Sequence, residues 1–209
     1  YDGCLPKTAW PPDLSAGIDF VDLPEGSFDA PLGLSTGAAD IFGVTGGVME
    51  AALRTVYELV TGRELPFEGL HVTPIVGLEQ IKTASFVIED TLPEYKHLEG
   101  VEVKVAVTSG LEGASMLMKE VADGTSPYHF IEVMGCPGGC INGGGQPIRP
   151  SFQNKPKDCA DRDQCLRGYD ARSAIRFSHE NKAVQTLYDE YLEAPLSDRA
   201  HHLLHVEEY

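Results

Sequence analysis

Between Gly46 and Gly62 apolar and small residues recur at three- and four-residue steps: Val48, Ala51, Ala52, Thr55, Val56, Leu59 and Val60. That period predicts a buried helix over about 47–61, and Gly62 supplies its C-terminal stop. Farther on, Val101, Val103, Val105 and Val107 alternate with other residues, the pattern of a strand over 101–108 with its valines on one face. Ser109-Gly110 then leads into a helix near 111–123, and Tyr128–Met134 reads as a second strand. A strand, a helix and a strand this close together predict a right-handed parallel crossover within an α/β sheet. Its last strand ends at Met134, so the residues after it lie where ligands collect in open α/β sheets.

Other segments are less periodic. Residues 1–35 are punctuated by Pro6, Pro11, Pro12, Gly17, Pro24, Gly26, Pro31 and Gly33, and read as loop with a short apolar patch at Ile18, Phe20, Val21 and Leu23. Residues 70–77 predict a short strand, 78–90 leaves helix and strand both open, and 150–170 is polar with no element assigned. Helix resumes near 181–193 on Ala183, Val184, Leu187, Tyr188, Tyr191 and Leu192, with cap candidates in Ser178–Asn181. A short final helix, capped by Ser197, ends near His205.

The chain's 209 residues are 42% hydrophobic and 23% charged, enough to bury a core and too apolar for disorder. Sixteen basic residues against 32 acidic ones give a net charge of −16, which repels phosphate backbones and anionic lipid and so argues against nucleic acid and membrane as partners. No stretch approaches the roughly 20 apolar residues of a membrane span, and no basic-then-apolar signal opens the chain. Its start at Tyr1 leads us to expect further residues upstream. Cys4, Cys136, Cys140, Cys159 and Cys165 are an odd number in a chain of this size, so metal-binding thiols are expected before a disulfide framework.

The stretch Met134-Gly-Cys-Pro-Gly-Gly-Cys-Ile-Asn-Gly-Gly-Gly-Gln-Pro147 carries the chemistry. Its glycines let backbone pass close to a bulky anion and turn amide N–H groups toward it, while its prolines limit the alternatives. A thiolate-bound iron–sulfur cluster is such an anion, and amide hydrogen bonds to its sulfurs tune its potential. A plain glycine-rich turn with two incidental thiols is the bland alternative. Structural zinc fits less well, since it usually takes C-x₂-C spacing and four ligands.

This stretch resembles the third cysteine signature of the iron-only ([FeFe]) hydrogenases. Gly37-Ala-Ala-Asp-Ile-Phe-Gly-Val-Thr-Gly-Gly-Val-Met-Glu-Ala-Ala-Leu-Arg54 agrees with the same family, as do Ser178–Asn181, Leu187-Tyr188, Pro195-Leu196-Ser197 and the His-rich last helix, so that the resemblance spans 17–209 and leaves 1–16 poorly matched. It implies the C-terminal part of the catalytic domain, with a hydrogenase-like α/β fold: a twisted, mainly parallel sheet flanked by helices, one lobe plus C-terminal helices. By resemblance, Cys136 would ligate the [4Fe–4S] part of the H-cluster, and Cys140 would bridge that cubane to the di-iron subsite with its CO and CN ligands. Met134 would pack beside the di-iron ligands. Phe42 and Gly43, with Thr45 and Gly46, would form an apolar wall, and Gly138 and Gly139 would give close backbone approach. The implied reaction is reversible reduction of protons to H₂. Electrons would come from ferredoxin or another iron–sulfur carrier, and the rest of the centre from the remaining N-terminal part of the domain or a partner subunit. A cytoplasmic setting is expected; a periplasmic form would need an export signal elsewhere.

The family's first signature, Thr-Ser-Cys-Cys-Pro, is absent, and Cys4-Leu-Pro-Lys7 only echoes the second. Cys159 and Cys165 are expected as surface thiols, and His201, His202 and His205 as surface or packing residues. Rival readings are a non-catalytic relative of the iron–sulfur assembly and prelamin-binding type, a sensory hydrogenase, and a fragment inactive by itself.

Overall fold

A computed structural model describes residues 23–27, 34–65, 81–147 and 155–205. The proposed strand at 70–77, Cys4, and the apolar residues Ile18, Phe20 and Val21 lie outside the described residues. The first regular element is α1, Gly37–Asp40, which runs through a 3₁₀ turn at Ile41–Gly43 into α2, Gly47–Thr61. Helix α2 has the predicted bounds, and Gly62, in the left-handed region at φ 68°, ends it by donating its N–H to the Glu58 carbonyl at 2.7 Å. The buried stripe is Met49, Leu53, Tyr57 and Val60, while Val56 and Leu59 face outward.

That stripe packs on a three-stranded sheet of β1, Ile81–Val87, β2, Glu102–Ser109, and β3, Phe130–Met134. Met49, Leu53, Tyr57 and Val60 meet Phe86, Ile88, Val105 and Val107 in one apolar cluster, with the Tyr57 and Phe86 rings edge to face. Strand β2 is central, so Ala106 and Thr108 on its other face are buried as well. Helix α3, Leu111–Ala122, joins β2 to β3, and those two strands are parallel with Val107 opposite Glu132. The α/β class is as expected, but the sheet is mixed among the described residues: β1 pairs antiparallel to β2, with Ala84 opposite Val105. The undecided segment 78–90 thus contributes a strand. Residues 88–101, which carry a 3₁₀ stretch at Pro93–Leu98 and no α-helix, join it to β2.

The polar stretch after the glycine loop forms α4, Lys155–Arg172, an element the periodicity did not reveal because α4 carries no broad apolar stripe. It docks on α1 and α2 largely through charge. Arg54 grips Asp170 with both guanidinium nitrogens at 2.9 and 2.8 Å and also donates to Glu50, which is 1% exposed. Arg167 joins Glu50 to Asp163, and Arg176 adds a second fork on Asp170 at 3.3 and 3.0 Å. Gly37 is required beneath this fork, since a Cβ there would stand 2.9 Å from the Asp170 backbone carbonyl oxygen. Burial pushes the Asp170 carboxyl up, but its hydrogen bonds from Arg54 and Arg176 outweigh this and hold it below the ordinary range.

Two shorter helices follow. Asn181 caps α5, Lys182–Leu187, by accepting from the N–H groups of Ala183 and Val184, and α5 continues into a π-helical turn at Tyr188–Leu192. Ser197 accepts from the Ala200 N–H to start α6, Asp198–Leu204, as its sequence position implied.

Arg54→Met should destabilise the fold by about 3–5 kcal/mol in chemical denaturation, because it leaves Asp170 and Glu50 buried without their shared cation. Asp170 has a depressed folded-state pKa, so its contribution is present above the unfolded value of 3.8 and is lost as pH falls through the lower folded value. Asp170→Asn should therefore flatten the acid limb of stability against pH below about 4.

Candidate metal centre

Strand β3 delivers the cysteine loop. Its last residue, Met134, is half-buried, and the Met134 carbonyl accepts the Gly110 N–H at 2.7 Å, which fixes the exit of the strand against the start of α3. The chain then folds back on itself. Gly139 N–H donates to the Cys136 carbonyl at 2.9 Å, and a 3₁₀ turn at Cys140–Asn142 is closed by Asn142 N–H to Gly139 and Gly143 N–H to Cys140, both at 3.1 Å. The Asn142 side-chain amide donates to the Pro137 carbonyl at 2.9 Å. Cys136 and Cys140 are free thiols, both exposed, and the Cys136 sulfur lies over Gly143.

The loop is pinned to the Phe42–Gly46 segment, 90 or so residues earlier in the chain. Thr45 N–H donates to the Gly138 carbonyl at 3.2 Å. Gly139, at φ 92°, leaves no space for a side chain: a Cβ there would stand 2.6 Å from the Gly43 carbonyl oxygen and 2.7 Å from the Thr45 nitrogen. Thr45 Oγ1 also lies 3.3 Å from Ser109 Oγ at the end of β2. Beneath them Glu132 of β3, 7% exposed, accepts the N–H groups of Gly46 at 2.6 Å and Met49 at 2.7 Å, the first donors of α2. Burial raises the Glu132 pKa, and these two hydrogen bonds offset only part of that.

Gly43, Thr45, Gly138 and Gly139 therefore meet in one cluster of backbone contacts, with Gly46 held beside it by Glu132. Phe42 is 44% exposed, so its ring is not part of the protein's core. Glu132, Ser109 and Arg162 are the members that the sequence left unmarked. A charge at an inward position of the otherwise apolar strand Phe130–Met134 was the one signal for Glu132.

Helix α4 closes the other side. Val44, Ile141 and Cys159 form a small apolar cluster against Leu166, and Arg162 Nη1 donates to the Ile141 carbonyl at 2.6 Å. Cys159 is buried, not a surface thiol, because this cluster covers it, and Cys165 is half-buried and disulfide-bonded. His201, His202 and His205 are exposed as expected, with the His201 and His205 rings 4.6 Å apart. Among the described residues no group of three or more His, Cys, Asp and Glu side chains could hold a metal ion. The donor set here is thus two free thiols on one glycine-rich loop. That suits two corners of a thiolate-held iron–sulfur cluster and does not complete a four-ligand zinc site.

Two family models match the chain: "Iron only hydrogenase large subunit, C-terminal domain" over residues 14–144, and "Iron hydrogenase small subunit" over residues 158–207. The NADP-reducing hydrogenase subunit HndD of Solidesulfovibrio fructosivorans is 46% identical over 188 residues, 90% of this chain and 29% of that protein. The periplasmic [Fe] hydrogenase large subunit of Nitratidesulfovibrio vulgaris is 49% identical over 135 residues, 65% of this chain and 29% of that protein. Among solved structures, [FeFe]-hydrogenase HydA1 from Chlamydomonas reinhardtii superposes with a TM-score of 0.69 at 37% identity, covering 93% of this chain and 52% of that one. The chain thus spans less than a third of these curated relatives and about half of the solved one. No described helix is long and apolar enough to cross a membrane.

Glu132→Gln should cost about 1–3 kcal/mol in denaturant unfolding, since a carboxamide presents one acceptor to two N–H donors and leaves a buried donor unpaired. Gly139→Ala should be worse tolerated than Gly144→Ala, where a Cβ meets nothing within 4 Å. Thermal unfolding of the two variants side by side checks this.

Proposed function

Because the chain belongs to the family of the iron-only hydrogenase large subunit, C-terminal domain, we propose that it forms one side of an H-cluster site, with Cys136 and Cys140 as two of the cluster's protein ligands. In this reading Cys136 and Cys140 would hold, through their thiolates, a cluster made of a [4Fe–4S] cubane and a di-iron subsite carrying CO and CN. The observation that carries it is the pair of free, exposed thiols on a glycine-rich loop that is pinned from both sides by buried backbone contacts. When bound, that cluster supplies the interconversion of H₂ with two protons and two electrons.

The chain's own residues have separable tasks. Cys136 and Cys140 supply thiolates, and the turn bonds of Gly139, Asn142 and Gly143 fix their spacing. Gly138 and Gly139 keep the loop free of side chains where backbone must approach the cluster. Exposed Phe42 and half-buried Met134 supply apolar surface beside the thiols, where exclusion of water would strengthen the site's electrostatics. Thr45 and Gly46, held by Ser109 and Glu132, keep that wall at a fixed distance from the loop. The other ligands come from the remaining part of the domain or from a partner subunit. Electrons come from ferredoxin or another iron–sulfur carrier, in the cytoplasm.

The complete protein, matured with its assembly enzymes and kept anaerobic, is expected to show infrared bands of iron-bound CO and CN and to evolve H₂ from reduced viologen. Cys140→Ala should lose both. Cys159→Ala, which alters a small apolar cluster behind the loop, should keep the bands. A matured, iron-replete protein with an intact cubane and no CO or CN bands would instead support the non-catalytic, assembly-type reading.

A further inference from the structure

Arg162 differs from the arginines of the ion network that docks α4. Arg54, Arg167 and Arg176 each face carboxylates at 2.5–3.0 Å. Arg162 is half-buried as well, yet among the described residues no carboxylate pairs with it. Its guanidinium instead makes a short bond of 2.6 Å to the Ile141 carbonyl. That carbonyl takes no part in the turn bonds of the cysteine loop, and it belongs to the residue directly after Cys140. The Ile141 side chain is buried against Cys159 and Leu166, so α4 grips both the backbone and the side chain of this residue. A half-buried cation that no carboxylate among the described residues pairs with, directed at a thiol-bearing turn, is well placed for an anion beside the thiols.

We propose that Arg162 is a positioning residue of the metal centre: it fixes the Cys140 turn through Ile141, and its charge stabilises the reduced state of the cluster held there. This rests on the function proposed above. It also gives α4, which lies in the region matched by the small-subunit model, a direct part in the electrostatics of a centre whose thiols lie in the large-subunit region. One-electron reduction adds a negative charge to the cluster, so a nearby guanidinium makes reduction more favourable.

The test uses the complete protein reconstituted anaerobically with iron and sulfide, which builds the cubane without the di-iron subsite, and titrated with dithionite while EPR reads the reduced fraction. Arg162→Lys keeps the charge and should keep the wild-type midpoint. Arg162→Met should lower it, the reduced-to-oxidised ratio at fixed poise falling about tenfold, a shift of about 59 mV for one electron. Arg162→Gln retains a donor for Ile141 without the charge, so it stands in if the Met variant does not fold, and it should shift in the same direction. A wild-type midpoint in a folded, cluster-loaded neutral variant overturns the proposal. Failure of the wild-type protein itself to hold a cubane is a different result, and it overturns the reading of Cys136 and Cys140 as ligands.

Discussion

A buried carboxylate at the head of a helix organises this molecule. The first turn of any α-helix leaves N–H groups without intrahelical partners, and the N-terminus of α2 lies inside the protein, where water cannot satisfy them. Glu132 meets two of them from the neighbouring strand. Its charge is also favourably placed against the helix dipole, and the two hydrogen bonds offset part of the desolvation that raises its pKa. Because Glu132 sits two residues before Met134 on β3, the same contact sets the Phe42–Gly46 segment against the loop that follows β3. Gly139 then allows the two backbones to touch.

The second constraint is the ion network of Glu50, Arg54, Asp163, Arg167, Asp170 and Arg176. Buried pairs contribute little net stability compared with well-packed apolar residues, but they tolerate few alternative geometries. Such a network suits the seam between regions matched by two separate family models, because α4 must dock in one register to bring Cys159, Arg162 and Leu166 onto Ile141. An apolar stripe would allow helix α4 to slide or rotate at smaller cost.

Together the two constraints leave Cys136 and Cys140 exposed on a loop that is itself held from three directions: β3 beneath, the Phe42–Gly46 segment on one side and α4 on the other. Exposed thiols on a rigid turn are what half of a shared metal centre requires. In the function proposed above, the thiols would be fixed before the rest of the site arrives, and the loop would lose little conformational freedom on binding a cluster.

Much of the frame was legible in the sequence because it is local. The 3.6-residue period at 47–61 with Gly62 behind it, the alternating valines of 101–108, and the caps at Asn181 and Ser197 each depend on residues a few positions apart. The glycine-rich Cys136–Cys140 stretch was legible as a tight loop for the same reason. Several features came only from the tertiary structure. Segment 81–87 became a strand because β2 offers it a partner, and the polar helix α4 formed because Arg54 and Glu50, over a hundred residues before Asp170, meet its charges. Burial of Cys159, exposure of Phe42, and the parts played by Glu132, Ser109 and Arg162 all depend on contacts between distant residues. Period and capping are properties of a short stretch of chain, whereas the partner that satisfies a buried charge or covers a thiol is chosen only when the whole chain has folded.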